Sequence, residues 1–161
     1  MRYSKLESRV SNLVRSATPA ARLRFGLDTV TLLQGRAGHA IAAQLSASER
    51  ASLLEILGHL ESRPANDLAA GFGAFLKTFK ADDVRSTEFH QDLIELLCAV
   101  DGFISYRCAG DPAQVVRIAI SAINSVDYHI EGRAGAYSVD NMLGSPQMVA
   151  EYERQQLLLA P

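Results

Sequence analysis

Apolar residues recur every three or four positions along most of this chain, which is the spacing of one face of an α-helix. The pattern is clearest within residues 87–108, where Leu93, Leu97, Val100 and Ile104 fall within an arc of about 60°. The chain lacks the alternation of strands and helices that is typical of βαβ units. The sequence therefore predicts an all-α fold, a single-domain helical bundle of about six to seven helices spanning residues 1–161.

Five positions carry residue types that cap helix N-termini and so predict where helices begin. At two of them a serine is followed three residues later by glutamate, so that each side chain can satisfy a backbone N–H near the other. At the other three a capping residue precedes proline, which suits the first helical turn because its missing N–H is not needed there. The serine pairs are Ser4 with Glu7 and Ser46 with Glu49, and the proline starts are Thr18, Asp111 and Ser145.

The chain after the second predicted helix has two interpretations. Gly35 and Gly38 favour a bend, because glycine is a poor helix former. The alanine-rich residues 40–43 favour a continuation of the same helix instead. The spacing alone leaves both interpretations of residues 35–45 open.

Connections near the C-terminus are short. Only Ala109 and Gly110 separate the helices predicted over residues 87–108 and 112–131, so we expect the two to form an antiparallel hairpin. A glycine-rich turn is expected over residues 132–135, before the last helix.

The composition is that of an ordinary soluble domain: 161 residues, of which 48% are hydrophobic and 21% charged. The longest stretch without a formal charge covers residues 37–48, which is shorter than the ~20 residues that a membrane-spanning helix needs. Charges near the N-terminus fall where a signal peptide would carry its apolar stretch. We therefore expect a cytoplasmic protein without a membrane partner.

Charge is distributed unevenly. Residues 1–63 hold 9 Lys and Arg against 5 Asp and Glu, whereas residues 64–161 hold 7 against 13. A locally acidic surface repels nucleic acid and attracts basic partners. The sequence therefore predicts a protein partner and no nucleic-acid partner.

The helix predicted over residues 87–108 carries an acidic stripe opposite its apolar arc. Glu88, Asp92 and Glu95 form the stripe, and the same face continues through small residues to Tyr106. Carboxylates, close approach and an aromatic anchor suit contact with another protein. We expect these four residues to face outward and bind a partner, the alternative being a solvated helix face.

Asp101 lies at the edge of the apolar arc of that helix. A carboxylate buried there would need a cationic or hydrogen-bonding partner, and Arg22 or Arg24 on the second helix could supply it. The sequence favours a structural ion pair. The alternative is a polar pocket between helices that also includes His90.

Catalytic and metal-binding patterns are not recognisable in the sequence. Asp127, His129 and Glu131 alternate, but on a helix successive members of such a set point about 200° apart and cannot grip one ion. No phosphate-binding loop and no nucleophile with its base stands out either. We expect no catalytic residue, no metal and no cofactor.

Two parts of the chain resemble the uncharacterised bacterial YjaG-like family. In the closing segment SPQMVAEYERQQLL, residues 145–158, a proline opens a helix bearing a Glu-aromatic pair and a glutamine, as in that family. The stretches 96–101, 109–112 and 119–123 are similar to its small-residue helical hairpin. The resemblance covers mainly residues 93–158. It implies an all-helical, self-associating domain and brings no catalytic residues with it.

Three functions follow as hypotheses. The first is a non-catalytic protein-binding module, a candidate immunity protein that neutralises a basic bacterial toxin through its acidic helix face. The second is a small-molecule-binding protein or enzyme with a polar pocket around Asp101. The third is a homodimer of unknown role.

Overall fold

The computed structural model describes residues 1–81, 90–134 and 142–160. Every regular element within these ranges is an α-helix, so the predicted all-α bundle is confirmed, with seven helices in the described residues. None of these helices combines the length and the hydropathy needed to cross a bilayer. The helices are α1 (Tyr3–Ser16), α2 (Pro19–Gln44), α3 (Ala47–Gly58), α4 (Ala65–Ala81), α5 (Gln91–Ala109), α6 (Pro112–Ala134) and α7 (Pro146–Leu158).

Most of the predicted caps are present. The hydroxyl oxygens of Thr18 and Ser145 each accept from a backbone N–H three residues on, at 3.1 Å. The Ser46 capping box is complete, because Glu49 Oε2 in turn accepts from the Ser46 N–H at 2.7 Å. Asp111 Oδ1 accepts from the Ala113 N–H at 2.9 Å. Local side-chain chemistry thus sets four of the five predicted starts.

The cap predicted at Ser4 is wrong. Helix α1 already begins at Tyr3, so its N-cap residue is Arg2, which makes no side-chain cap hydrogen bond. Ser4 therefore lies inside the first turn, where its carbonyl accepts from the Ser8 hydroxyl at 2.8 Å.

Helix α2 continues without a break through Gly35 and Gly38 to Gln44, which decides between the two interpretations of residues 35–45. Each glycine lowers the stability of the helix by about 1 kcal/mol relative to alanine. The burial of Ala37, Ala40 and Ile41 along the same stretch outweighs that cost.

Helix α6 is also longer than predicted. It extends through Ala134, so the glycine-rich turn expected at residues 132–135 is wrong for residues 132–134, and residue 135 lies outside the described ranges.

Helices α5 and α6 form the centre of the bundle. Helix α5 packs against α2, α4 and α6, and α6 packs against α1, α2, α5 and α7. All four residues of the predicted apolar arc on α5 are buried. Contacts join residues near the start of α5 to residues near the end of α6, as Asp92 does to His129. The antiparallel hairpin that we expect for this pair stays a prediction.

Two glycines let helices approach closely. A Cβ atom added to Gly26 of α2 would lie 2.7 Å from the Phe103 ring of α5. One added to Gly102 of α5 would lie 3.0 Å from the backbone oxygen of Gln114 in α6. A side chain at either position would push apart helices whose contact buries the core.

Alanine substitutions at two glycines of α2 should have opposite effects. Gly26→Ala should lower the free energy of unfolding by about 1–3 kcal/mol, because the added methyl group overpacks the site against Phe103. Gly35→Ala should raise it by about 0.5–1 kcal/mol, because a Cβ there meets nothing within 4 Å and alanine favours the helix. Urea unfolding measures both, and equal effects would contradict the proposed close contact of α2 with α5.

Candidate functional site

The acidic face of α5 points into the protein, so the prediction that it faces outward is wrong. Asp92 is 2% exposed, Glu95 5% and Tyr106 5%, while Glu88 lies outside the described residues. The reason is the central place of α5, which packs against α2, α4 and α6. Small residues such as Gly102 bring that face against α6.

The Asp92 carboxylate binds two side chains of α6. Its Oδ1 atom accepts from the Ser125 hydroxyl at 3.0 Å, and the Nε2 atom of His129 lies 2.9 Å from Oδ2 and 3.1 Å from Oδ1. Because a carboxylate only accepts hydrogen bonds, Nε2 of His129 must carry the proton. Asp92 therefore fixes both the tautomer and the orientation of the imidazole.

Glu95 is buried one helical turn further along α5. Gln91 Nε2 donates to its Oε1 atom at 2.6 Å, and the side chains of Ser121 and Asn124 on α6 supply further hydrogen bonds. Burial raises the pKa of the Glu95 carboxyl, and the neighbouring Asp92 charge raises it further. The carboxyl is thus held between donors on its own helix and donors on α6.

The predicted pair of Asp101 with Arg22 is wrong. Asp101 Oδ2 instead accepts from Arg117 Nη2 at 3.0 Å, and its side chain is 43% exposed. Arg22 donates to the backbone oxygens of Val14 and Arg15, each at 2.8 Å. The end of α1 leaves carbonyl groups without helical partners, and a guanidinium satisfies them well.

His90, the third residue of the predicted pocket, caps α5. Its Nδ1 atom accepts from the Asp92 N–H at 3.2 Å. Asp101, Arg22 and His90 therefore have separate local roles, and the described residues do not bring the three together in one pocket. Asp101 does line a cleft of about 350 Å³ between α4 and α5, whose other walls are mostly apolar.

A cleft of about 440 Å³ lies beside His129 instead. It opens between the second half of α2, the end of α6 and the start of α7. Arg36 of α2 reaches it, and its Nη1 atom lies 3.3 Å from the Ser125 hydroxyl. The lining residues are Arg36, Val126, His129, Ile130, Gly144, Ser145, Pro146 and Gln147.

A second buried polar network holds α7 in place next to this cleft. Arg154 donates to both carboxylate oxygens of Glu151, at 2.8 and 2.9 Å, and to the Thr29 hydroxyl of α2 at 3.1 Å. Gln155 Nε2 donates to the Ala119 carbonyl of α6 at 3.0 Å. The wall that α7 contributes to the cleft is therefore tied to both α2 and α6.

Arg36 was not predicted as a site residue, and His129 was considered only as a metal ligand and rejected. The available signal was a polar stripe on α6, where Ser121, Ser125 and His129 recur every four residues in a helix otherwise rich in alanine and isoleucine. Such a stripe matches Asp92 and Glu95, which are three residues apart on the facing helix.

The chemistry of the cluster favours binding over nucleophilic catalysis. An aspartate orients a histidine, as in a catalytic triad, but the Ser125 hydroxyl donates to Asp92 rather than to the imidazole and is fully buried. Within the described parts of the chain, no three metal-ligating side chains converge. The oriented imidazole and the Arg36 guanidinium are the groups that can meet a ligand.

Comparison with family models, curated proteins and solved structures finds no match for this chain. The resemblance to the YjaG-like family therefore stays a prediction, and the interpretation of the cleft depends on its geometry.

Removing the Asp92 carboxylate should destabilise the fold far more than removing an exposed one on the same helix. Asp92→Ala should lower the free energy of unfolding by about 2–4 kcal/mol, because Ser125 and His129 lose a buried charged partner. Asp101→Ala, which removes the exposed pair with Arg117, should cost less than about 1 kcal/mol. Urea unfolding of both variants checks this, and similar losses would contradict the buried role of Asp92.

The raised pKa of Glu95 predicts a pH-dependent stability. Because the pKa of this carboxyl is higher in the folded protein than in the unfolded chain, its contribution to stability is complete below the unfolded pKa of about 4.5. This contribution to stability is lost as the pH rises through the pKa of the carboxyl in the folded protein. Glutamine does not titrate, so the stability of Glu95→Gln relative to the wild type should rise with pH across that window. Urea unfolding over a pH series measures the difference.

Glu55, which is exposed, provides a control in which the pKa is shifted in the opposite direction. A hydrogen bond from Arg63 lowers the pKa of its carboxyl, so its contribution is present above the unfolded value and is lost as the pH falls. The stability of Glu55→Gln relative to the wild type should therefore fall with rising pH. The same direction for both variants would contradict the buried state of Glu95.

Proposed function

We propose that this protein binds a small molecule in the cleft between α2, α6 and the start of α7. The observation that carries the proposal is that Arg36 of α2 and His129 of α6 both line the cleft, with the imidazole held by the buried Asp92. This is the small-molecule alternative of the sequence analysis, located at His129 rather than around Asp101.

The cleft has the properties of a ligand site. Its volume lies in the range of about 300–1,000 Å³ that is common for such pockets. Val126, Ile130 and Pro146 provide apolar surface, and Arg36, His129, Ser145 and Gln147 provide the polar groups. A buried carboxylate such as Asp92 needs fixed hydrogen-bond partners, and His129 is one of them. The imidazole of His129 is therefore held in one orientation. Ligand sites commonly combine apolar walls with a small number of such oriented groups.

The protein-binding hypothesis, a cytoplasmic immunity protein against a basic toxin, stays a prediction. The acidic excess of residues 64–161 supports a basic partner. Asp92, Glu95 and Tyr106 cannot supply the contact surface, because they are buried against α6. The homodimer likewise stays a prediction.

Filling the cleft tests the proposal. Three probes share one apolar body and differ in charge: phenylbutanoate, phenylbutanamide and phenylbutylamine. At least one of them should bind the wild type in a calorimetric titration. Ile130→Trp should weaken that binding by about tenfold or more, because the larger ring occupies the space between the walls.

The matched control is Leu157→Trp, which places the same ring on α7 at a residue that is 77% exposed. It should leave binding unchanged. Circular dichroism checks that both variants are folded. If Ile130→Trp does not fold, Gln147→Trp replaces it, because Gln147 is an exposed residue that also lines the cleft. Binding that is unaffected by the ring at the cleft, or no binding of any probe, would refute the proposed function.

A further inference from the structure

We infer that the ligand of the cleft is a small organic monocarboxylate with an apolar body, its carboxylate held by the guanidinium of Arg36. The inference rests on the proposed function, since it names the class of molecule that the cleft selects. Its basis is the charge, the hydrogen-bonding state and the surroundings of Arg36.

Arg36 uses little of its hydrogen-bonding capacity. Its side chain is half-buried, and its contact within the described residues is the 3.3 Å approach of Nη1 to the Ser125 hydroxyl. Other arginines of the bundle are more fully bound: Arg22 to two backbone oxygens and Arg154 to a carboxylate and a hydroxyl. A guanidinium has five N–H donors in a planar fork, which matches the two oxygens of a carboxylate.

The charge around the cleft also favours an anion. Among the lining residues that the structure describes, Arg36 carries the one permanent charge and none is a carboxylate. Asp92 is buried and already accepts hydrogen bonds from Ser125 and His129. A single positive charge is balanced by one carboxylate, whereas a phosphate dianion would leave negative charge unmatched.

Two other groups line the cleft with Arg36: the N-terminus of α7 and the imidazole of His129. Helix α7 begins at the cleft with Ser145 and Pro146, and the partial positive charge of a helix N-terminus adds to that of the guanidinium. In the tautomer that Asp92 holds, Nδ1 of His129 carries no proton, so it accepts hydrogen bonds and donates none to a carboxylate. The contribution of the helix N-terminus is secondary to that of the guanidinium.

The other walls define the body of the ligand. Val126 and Ile130 of α6 and the ring of Pro146 offer hydrocarbon surface and no hydrogen-bonding side-chain atoms. An aliphatic or aromatic group gains free energy there by leaving water. The molecule that fits is therefore an anion at one end and apolar at the other.

The three phenyl probes have similar shapes and different charges, so they isolate the effect of ligand charge on affinity. Calorimetric titration of the wild type should show phenylbutanoate binding about ten- to a hundredfold more tightly than phenylbutanamide, because a charge-assisted pair with arginine is worth more than a neutral hydrogen bond. Phenylbutylamine should bind more weakly than the amide, since its charge has the same sign as that of Arg36.

Variants of Arg36 assign the preference to its guanidinium. Arg36→Met should abolish the advantage of phenylbutanoate. Phenylbutanamide, which loses one hydrogen bond, should weaken by no more than about fivefold, and its remaining binding shows that the cleft is intact. Arg36→Lys should restore part of the advantage, because lysine keeps the charge but lacks the planar fork.

The outcomes separate this inference from the proposed function. If the amide or the amine binds as tightly as phenylbutanoate and Ile130→Trp abolishes that binding, the cleft binds ligands but the carboxylate class is wrong. Persistence of the phenylbutanoate preference in Arg36→Met would overturn the role of Arg36. If none of the three probes binds, the proposed function itself fails.

Discussion

The structure depends on the pairing of two buried carboxylates of α5 with polar side chains of α6. Asp92 and Glu95 are removed from water in the middle of the bundle, where an unpaired charge would cost several kcal/mol. Ser121, Asn124, Ser125 and His129 compensate by presenting hydrogen-bonding groups along one face of α6. The two central helices therefore match in polarity as well as in shape, which fixes how one can lie along the other.

The close approach of backbones makes this pairing possible. Gly26 brings α2 against Phe103, and Gly102 brings α5 against the backbone of α6. Short side chains such as aspartate and serine can bridge two helices only if their axes are near each other. The apolar contacts and the polar contacts of the bundle thus require one and the same helix spacing.

Much of the fold was predictable from the sequence because it depends on local patterns. Apolar spacing identified the helices, and the caps at Thr18, Ser46 and Ser145 were located from side chains within a few residues. The environment of Asp92 was not predictable in this way. An acidic stripe on one helix is consistent with exposure to water or with burial against a polar stripe, and the choice depends on a helix about thirty residues away in the sequence. Likewise, Arg36 and Pro146 line one cleft only because α2 and α7 both dock on α6.

Helix α2 has a consequence for how the cleft meets a ligand. Its 26 residues form one unbroken rod about 39 Å long, on which Phe25, Thr29 and Arg36 have fixed relative positions. Phe25 is sunk in the core, and Thr29 is hydrogen-bonded to Arg154 of α7. The helix that carries Arg36 is therefore already fixed in the bundle before any ligand binds. The ligand that we propose would therefore order the side chain of Arg36 but not the helix that carries it, which confines the entropy cost of binding to that side chain.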